Sequence, residues 1–168
     1  MSTSRVGLGF DVHPFAAGGV LVLGGVELEG PALAGHSDAD AVAHAVADAL
    51  LGAAGLPDLG TLFPAGDDRH RDASSMRLLR DVAAQIAARR WQLGNVDVVV
   101  AAERPALAPH VRSMTDNLYR ALVPLFPAPG AQNLVSVKPK RGEGLGAIGR
   151  SEGIAVWAVA LLDTVGDG

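Results

Sequence analysis

The chain has 168 residues and a mass of 17.2 kDa, enough for one domain that buries roughly two-thirds of its unfolded surface. Apolar residues make up 49% and charged residues 19%, which excludes a disordered chain, and zero cysteines exclude disulfides, thiolate metal sites and a thiol nucleophile. A formal net charge of −4 argues against a duplex nucleic-acid binder, and the longest apolar run, residues 154–162, falls far short of the roughly 20 that span a bilayer. The expectation is a single enzyme-sized domain over 1–168, cytoplasmic, with neither nucleic acid nor membrane as partner.

Val6, Leu8, Phe10 and Val12 alternate with Gly7, Gly9, Asp11 and His13, which predicts a strand over 5–15. The apolar set makes the Asp11/His13 side the polar side of an otherwise buried-looking strand. Residues 20–23 and 26–28 flank Gly24-Gly25, a two-residue hairpin signal. Ser37 or Asp38 can cap a helix running to about 54, with Gly55 and Pro57 as stop signals. A second helix is expected from 74 or 75 to about 90, then a valine-rich strand over 95–102. A third helix over 109–123 has a proline in its first turn, and two further strands cover 134–138 and 154–163. The order of elements suggests an α+β (mixed α/β) fold, a sheet with helices packed on one face plus a projecting β-hairpin.

Asp11 and His13 are two residues apart on a strand, so both side chains point to one face. His44 lies on the first helix, on the same side as Ser37. A strand carboxylate, a strand imidazole and a helix imidazole make a three-ligand set that suits Zn²⁺ with one open position, and a sulfur-free set also accepts Mn²⁺ or Co²⁺. Against this, an Asp-Val-His triplet also occurs in hydrogen-bonded strand ends, and His44 can pair with Asp40 or Asp48 one turn away. The start of the first helix is a ready anion site, with the Ser37 hydroxyl and the His36 imidazole beside it, although ordinary capping by Ser37 or Asp38 explains much of that pattern. Asp58 can accept hydrogen bonds from sugar hydroxyls with Gly60 allowing close approach, or it can simply close a surface turn.

Taken together, Gly9-Phe10-Asp11-Val12-His13, Gly35-His36-Ser37-Asp38-Ala39-Asp40 with His44, and the segment 49–64 closely resemble the 2-C-methyl-D-erythritol 2,4-cyclodiphosphate synthase family. The similarity continues through 93–97 and 104–110 and ends with Gly149-Arg150-Ser151-Glu152-Gly153-Ile154-Ala155. The resemblance implies an enzyme of the non-mevalonate route to isoprenoid precursors. Its substrate is 4-diphosphocytidyl-2-C-methyl-D-erythritol 2-phosphate, whose 2-phosphate attacks the β-phosphorus so that CMP leaves and the cyclic diphosphate forms. It also implies a homotrimer with active sites between subunits, one Zn²⁺, and one Mg²⁺ or Mn²⁺ on the substrate diphosphate.

Carried over by position, the resemblance makes Asp11, His13 and His44 the zinc ligands and Glu143 the carboxylate for the second cation. His36 and Ser37 match the phosphate-contacting pair. Asp58, Leu59 and Gly60 match the segment holding the sugar, followed by Phe63, Pro64, Ala65, Gly66 and Asp67. Ala102, Glu103, Arg104, Pro105, Ala106, Leu107 and Ala108 match the loop whose backbone reads cytosine. Arg150 and Phe10 match residues facing the three-fold axis.

The chain departs from the family at Lys140, Arg141 and Gly142, where relatives carry threonines, and at Ala147, which replaces a bulkier residue. Long cations there suggest that Arg141 grips phosphate and serves the chemistry beside His36. The competing readings are a catalytically weak trimeric nucleotide-binding protein, with Lys140 and Arg141 a solvated turn, and a metal-dependent phosphoesterase.

Overall fold

The computed structural model describes residues 3–35, 38–64, 74–126 and 132–165. In chain order the elements are β1 (Ser4–Ala16), β2 (Leu21–Leu23), β3 (Val26–Leu28), β4 (Ala32–Leu33), α1 (Ala41–Ala54), α2 (Leu59–Leu62), α3 (Ser75–Ala87), β5 (Trp91–Ala101), α4 (Val111–Leu122), β6 (Val135–Lys140), α5 (Gly146–Gly149) and β7 (Gly153–Thr164). Five strands form one sheet in the order β4-β1-β7-β5-β6, antiparallel except for the parallel pair β5/β6. Helix α1 packs along β1 and β7, α3 packs on α1, and α4 packs on α3 and β6, so the helices share one face of the sheet. The architecture is therefore mixed α+β, and no helix among the described residues is long and apolar enough to cross a membrane.

Small residues bring α1 down onto the sheet. A Cβ at Gly7 would lie 1.9 Å from the Ala49 carbonyl oxygen, and one at Gly9 would lie 1.9 Å from that of Ala45. Opposite them β7 offers Ala160 and Ala158, while α1 itself presents Ala45 and Ala49, all fully buried. This close seam fixes which side of β1 faces the helices, and it is the reverse of the sequence expectation. The glycine, aspartate and histidine side is covered by α1, whereas Val6, Leu8, Phe10 and Val12 stand exposed on the other face, Val6 at 68% and Leu8 at 67%. Alternation shows which residues share a face; which face is covered was decided here by how closely two backbones must approach. On that open face Trp157 and Val159 of β7 lie opposite Phe10 and Leu8, with the Phe10 and Trp157 rings 5.2 Å apart.

Helix α1 starts later than expected. Its cap is Asp40, fully buried, whose carboxylate accepts the N–H groups of Val42 and Ala43 at 3.0 and 3.1 Å and those of Gly24 and Gly25 at 2.8 and 2.7 Å. One side chain thus closes the helix and pins the turn between β2 and β3 against it. Asn117 of α4 donates to the Gly24 and Gly25 carbonyls, each at 3.1 Å, and Leu21 and Leu23 are fully buried. The hairpin therefore lies down on the helical layer rather than projecting from it. At the other end Gly55 caps α1 with φ 71°, a left-handed backbone that suits glycine. The segment after it holds a helix with no apolar periodicity to announce it, the four-residue α2, capped by Asp58.

Candidate metal centre

Asp11 and His13 project from β1 toward α1, and His44, one turn into α1 beyond its Asp40 cap, meets them. One ligand atom from each lies within 4.8 Å of the others, all three residues are half-buried, and the two imidazole centroids are 5.7 Å apart. Asp11 Oδ2 sits 2.9 Å from His13 Nε2 and 3.0 Å from His44 Nδ1. A carboxylate only accepts, so each of these approaches requires either a proton on the ring nitrogen or one cation shared by all three atoms.

The remaining ring nitrogens are committed elsewhere. His13 Nδ1 donates to the Ala34 carbonyl at 2.6 Å, which leaves Nε2 as the atom aimed at the centre. His44 Nε2 is 2.8 Å from the Ser75 hydroxyl, and Ser75 in turn bonds Asp38. Burial works to raise the Asp11 carboxyl, but the hydrogen bonds from His13 and His44, with their charge, outweigh it and hold it well below the usual carboxylate range. The hydrogen bond to Asp11 raises the His13 imidazole above its ordinary value, against the effect of burial. A carboxylate and two oriented imidazoles, oxygen and nitrogen donors only, fit a divalent cation of the zinc, manganese or cobalt type.

At the start of α1 the Val42 and Ala43 N–H groups are taken by the helix's own cap, the Asp40 carboxylate, and residues 41–43 are buried. His36 and Ser37 lie outside the described residues, as do Ala65, Gly66 and Asp67. Asp58 spends both oxygens locally, accepting the Thr61 N–H at 2.8 Å and the Thr61 hydroxyl at 3.2 Å. Leu59 N–H donates at 2.8 Å to Asp48, which sits on α1 one turn beyond His44; this tie between α2 and the helix had no signal in the sequence. Gly60 and Pro64 are exposed, and Phe63 packs partly on the core.

A second feature stands at the ends of β5 and β6. Ala102, Glu103, Pro105, Ala106, Leu107 and Ala108 line a cavity of about 270 Å³ together with Pro139, Lys140 and Arg141. Thus the structure joins the 102–108 loop to Lys140 and Arg141, and Glu103 ties them: one oxygen accepts from the Arg141 guanidinium and the other from Gly142 N–H at 3.1 Å. Arg104 lies outside this cavity and lines a neighbouring surface recess with Phe15 and Glu29. Glu143 is exposed in the following turn, φ 52°, and is not part of the Asp11/His13/His44 cluster. Ala147 is exposed, and Arg150 is exposed and paired with Glu152 at 2.6 Å.

The fold and the donor set define an α+β protein with a residue cluster that fits a divalent cation and a separate surface cavity. The pattern of the YgbB family matches residues 4–163, and the chain belongs to that family. It is 53% identical over 156 residues to the bifunctional enzyme IspD/IspF of Anaeromyxobacter dehalogenans, and the match takes in 93% of this chain but only 39% of that protein. It is 48% identical over 159 residues to the 2-C-methyl-D-erythritol 2,4-cyclodiphosphate synthase of Bordetella avium, covering 94% of each chain. Its fold superposes on the CDP complex of IspF from Plasmodium falciparum with a TM-score of 0.82 and 31% identity, covering 97% of both.

Proposed function

We infer that the chain carries out the reaction for which its full-length relatives are named. It would cyclise 4-diphosphocytidyl-2-C-methyl-D-erythritol 2-phosphate to the 2,4-cyclodiphosphate and release CMP, a step in the non-mevalonate route to isoprenoid precursors. The observation that supports this reading is the convergence of Asp11, His13 and His44 into one cluster. A bond forms between a 2-phosphate oxygen and the β-phosphorus, and the bond from that phosphorus to the bridging oxygen of the departing CMP breaks. The attacking phosphate oxygen is already ionised near neutral pH, so no general base is needed. The protein's task is to hold two anionic groups of one molecule together in line.

Asp11, His13 and His44 would hold Zn²⁺, with Mg²⁺ or Mn²⁺ on the diphosphate near Glu143. Bound there, the ions supply positive charge that offsets repulsion between the phosphates. The 102–108 loop offers backbone groups to the cytosine, and the cavity it forms is lined by Lys140 and Arg141, cations suited to a phosphate. Arg141 uses one of its five N–H donors on Glu103, which orients the guanidinium while leaving others for an anion. His36, Ser37, Asp58, Leu59 and Gly60, with the segment from Phe63 to Asp67, complete the phosphate and sugar contacts in this reading.

The reading also includes a homotrimer whose active sites lie between subunits. The exposed apolar face of β1 and β7, with Phe10 and Trp157, supports it. So does the layout of one chain. The metal centre on β1 and the cavity at β6 lie at the same end of the sheet but three strand spacings apart, roughly 14 Å. A neighbouring copy that brings its cavity to this metal centre would close that gap. Incubation with the cytidyl substrate and both cations, followed by phosphorus NMR, tests the function: CMP with a cyclic diphosphate is expected. A linear phosphate product would mark a phosphoesterase, and CDP binding without turnover a binding protein.

A further inference from the structure

We propose that Ser75, held by Asp38, is a positioning residue that fixes His44 in the Nε2–H tautomer, so that Nδ1 is the atom it presents to the metal. The proposal rests on the reading that Asp11, His13 and His44 hold a divalent cation. Ser75 is one of two buried polar residues among those described, 1% exposed, and it stands on α3, far in sequence from His44 on α1. Its hydroxyl oxygen is 2.8 Å from His44 Nε2, and the same hydroxyl bonds Asp38 Oδ1. Its backbone N–H donates to both Asp38 oxygens, each at 3.2 Å, so the Asp38 carboxylate is squarely seated on Ser75.

Proton accounting then leaves one arrangement. A carboxylate has no hydrogen to give, so the Ser75 hydroxyl hydrogen points to Asp38, and its oxygen can only accept from His44. Nε2 therefore carries the hydrogen, and Nδ1, 3.0 Å from Asp11 Oδ2, is the nitrogen whose lone pair is left for a cation shared with that carboxylate. His13 is set the opposite way by the Ala34 carbonyl, so the two imidazoles meet the ion through different nitrogens, each dictated by its outer partner. Helix capping does not account for Ser75, because Ser74 is the cap of α3 and accepts the Arg77 N–H.

The test uses the full chain, metal-free and loaded with Zn²⁺ or Co²⁺. Competition with a chromogenic chelator should give Ser75→Ala a zinc affinity about 10- to 100-fold below wild type, and Ser75→Thr, which restores the hydroxyl, an affinity within a few-fold of it. The visible absorption of the Co²⁺ form should shift in Ser75→Ala and return in Ser75→Thr. Wild-type zinc affinity and an unchanged Co²⁺ spectrum in Ser75→Ala would overturn the proposal while leaving the metal centre intact. A wild-type chain that binds no stoichiometric zinc would instead overturn the underlying reading. Independently of any variant, ¹⁵N shifts of the zinc-loaded wild type should show His44 bound through Nδ1 with hydrogen on Nε2, and the opposite pattern overturns the proposal.

Discussion

The contact between His13 and Asp11 shifts the two groups in opposite directions, His13 upward and Asp11 downward. The His13 imidazole is raised by its hydrogen bond to Asp11, so it stabilises the metal-free fold below the unfolded histidine value of about 6.5, and that contribution is lost as pH rises through the folded value. Asp11 is lowered, so its contribution is present above the unfolded aspartate value and is lost only in strong acid. A divalent cation needs the unprotonated ring. The rise in Tm on adding one equivalent of Zn²⁺ should therefore be small at about pH 5.5 and full at about pH 8, on either side of the histidine range. Equal rises at both pH values, read by scanning calorimetry, would remove His13 from the ligand set. The cluster of Asp11, His13 and His44 was legible in the sequence because Asp-x-His on a strand and an imidazole on a helix carry chemistry by residue type. Ser75 was not, since no spacing rule joins residues 31 apart on two helices, and Asp38 read only as a cap.

The seam between β1 and α1 is what holds those ligands together. Gly7 and Gly9 let the helix backbone approach until His44 stands over Asp11, and a methyl group at Gly9 would meet the Ala45 carbonyl at 1.9 Å. Gly9→Ala should destabilise the chain by about 3 kcal/mol or more, beyond ordinary overpacking because the obstacle is backbone, and weaken zinc binding by moving α1 outward. Denaturant unfolding with and without zinc checks this, and wild-type stability would show that the seam can relax. Strands and long helices were readable from alternation, Gly55 and Pro57. The helix start was not: Asp38 and Asp40 are equally good caps by type, and only the buried turn at Gly24 and Gly25 selects Asp40. The covered face of β1 was misjudged for a related reason, since small residues looked like the absence of a core side rather than the place where helix and strand touch.

At the scale of the whole molecule the open sheet face asks for a partner. Val6, Leu8, Phe10 and Val12 with Trp157 and Val159 form an apolar patch on strands already paired edge to edge, so a partner would cover it face-on rather than by added strands, as the proposed trimer does. If the proposed shared sites hold, sedimentation velocity should give three times the chain mass for the wild type and the single-chain mass for Leu8→Lys, with turnover lost in the variant. A fully active Leu8→Lys monomer would refute the shared site. The account as a whole stands on three side chains gripping one ion, and metal analysis of the purified protein addresses that directly. Inductively coupled plasma mass spectrometry should find one divalent ion per wild-type chain and essentially none in a folded His44→Ala chain, a loss larger than the roughly 100-fold that outer partners command. A folded His44→Ala chain that still carries a full equivalent of zinc would contradict the account.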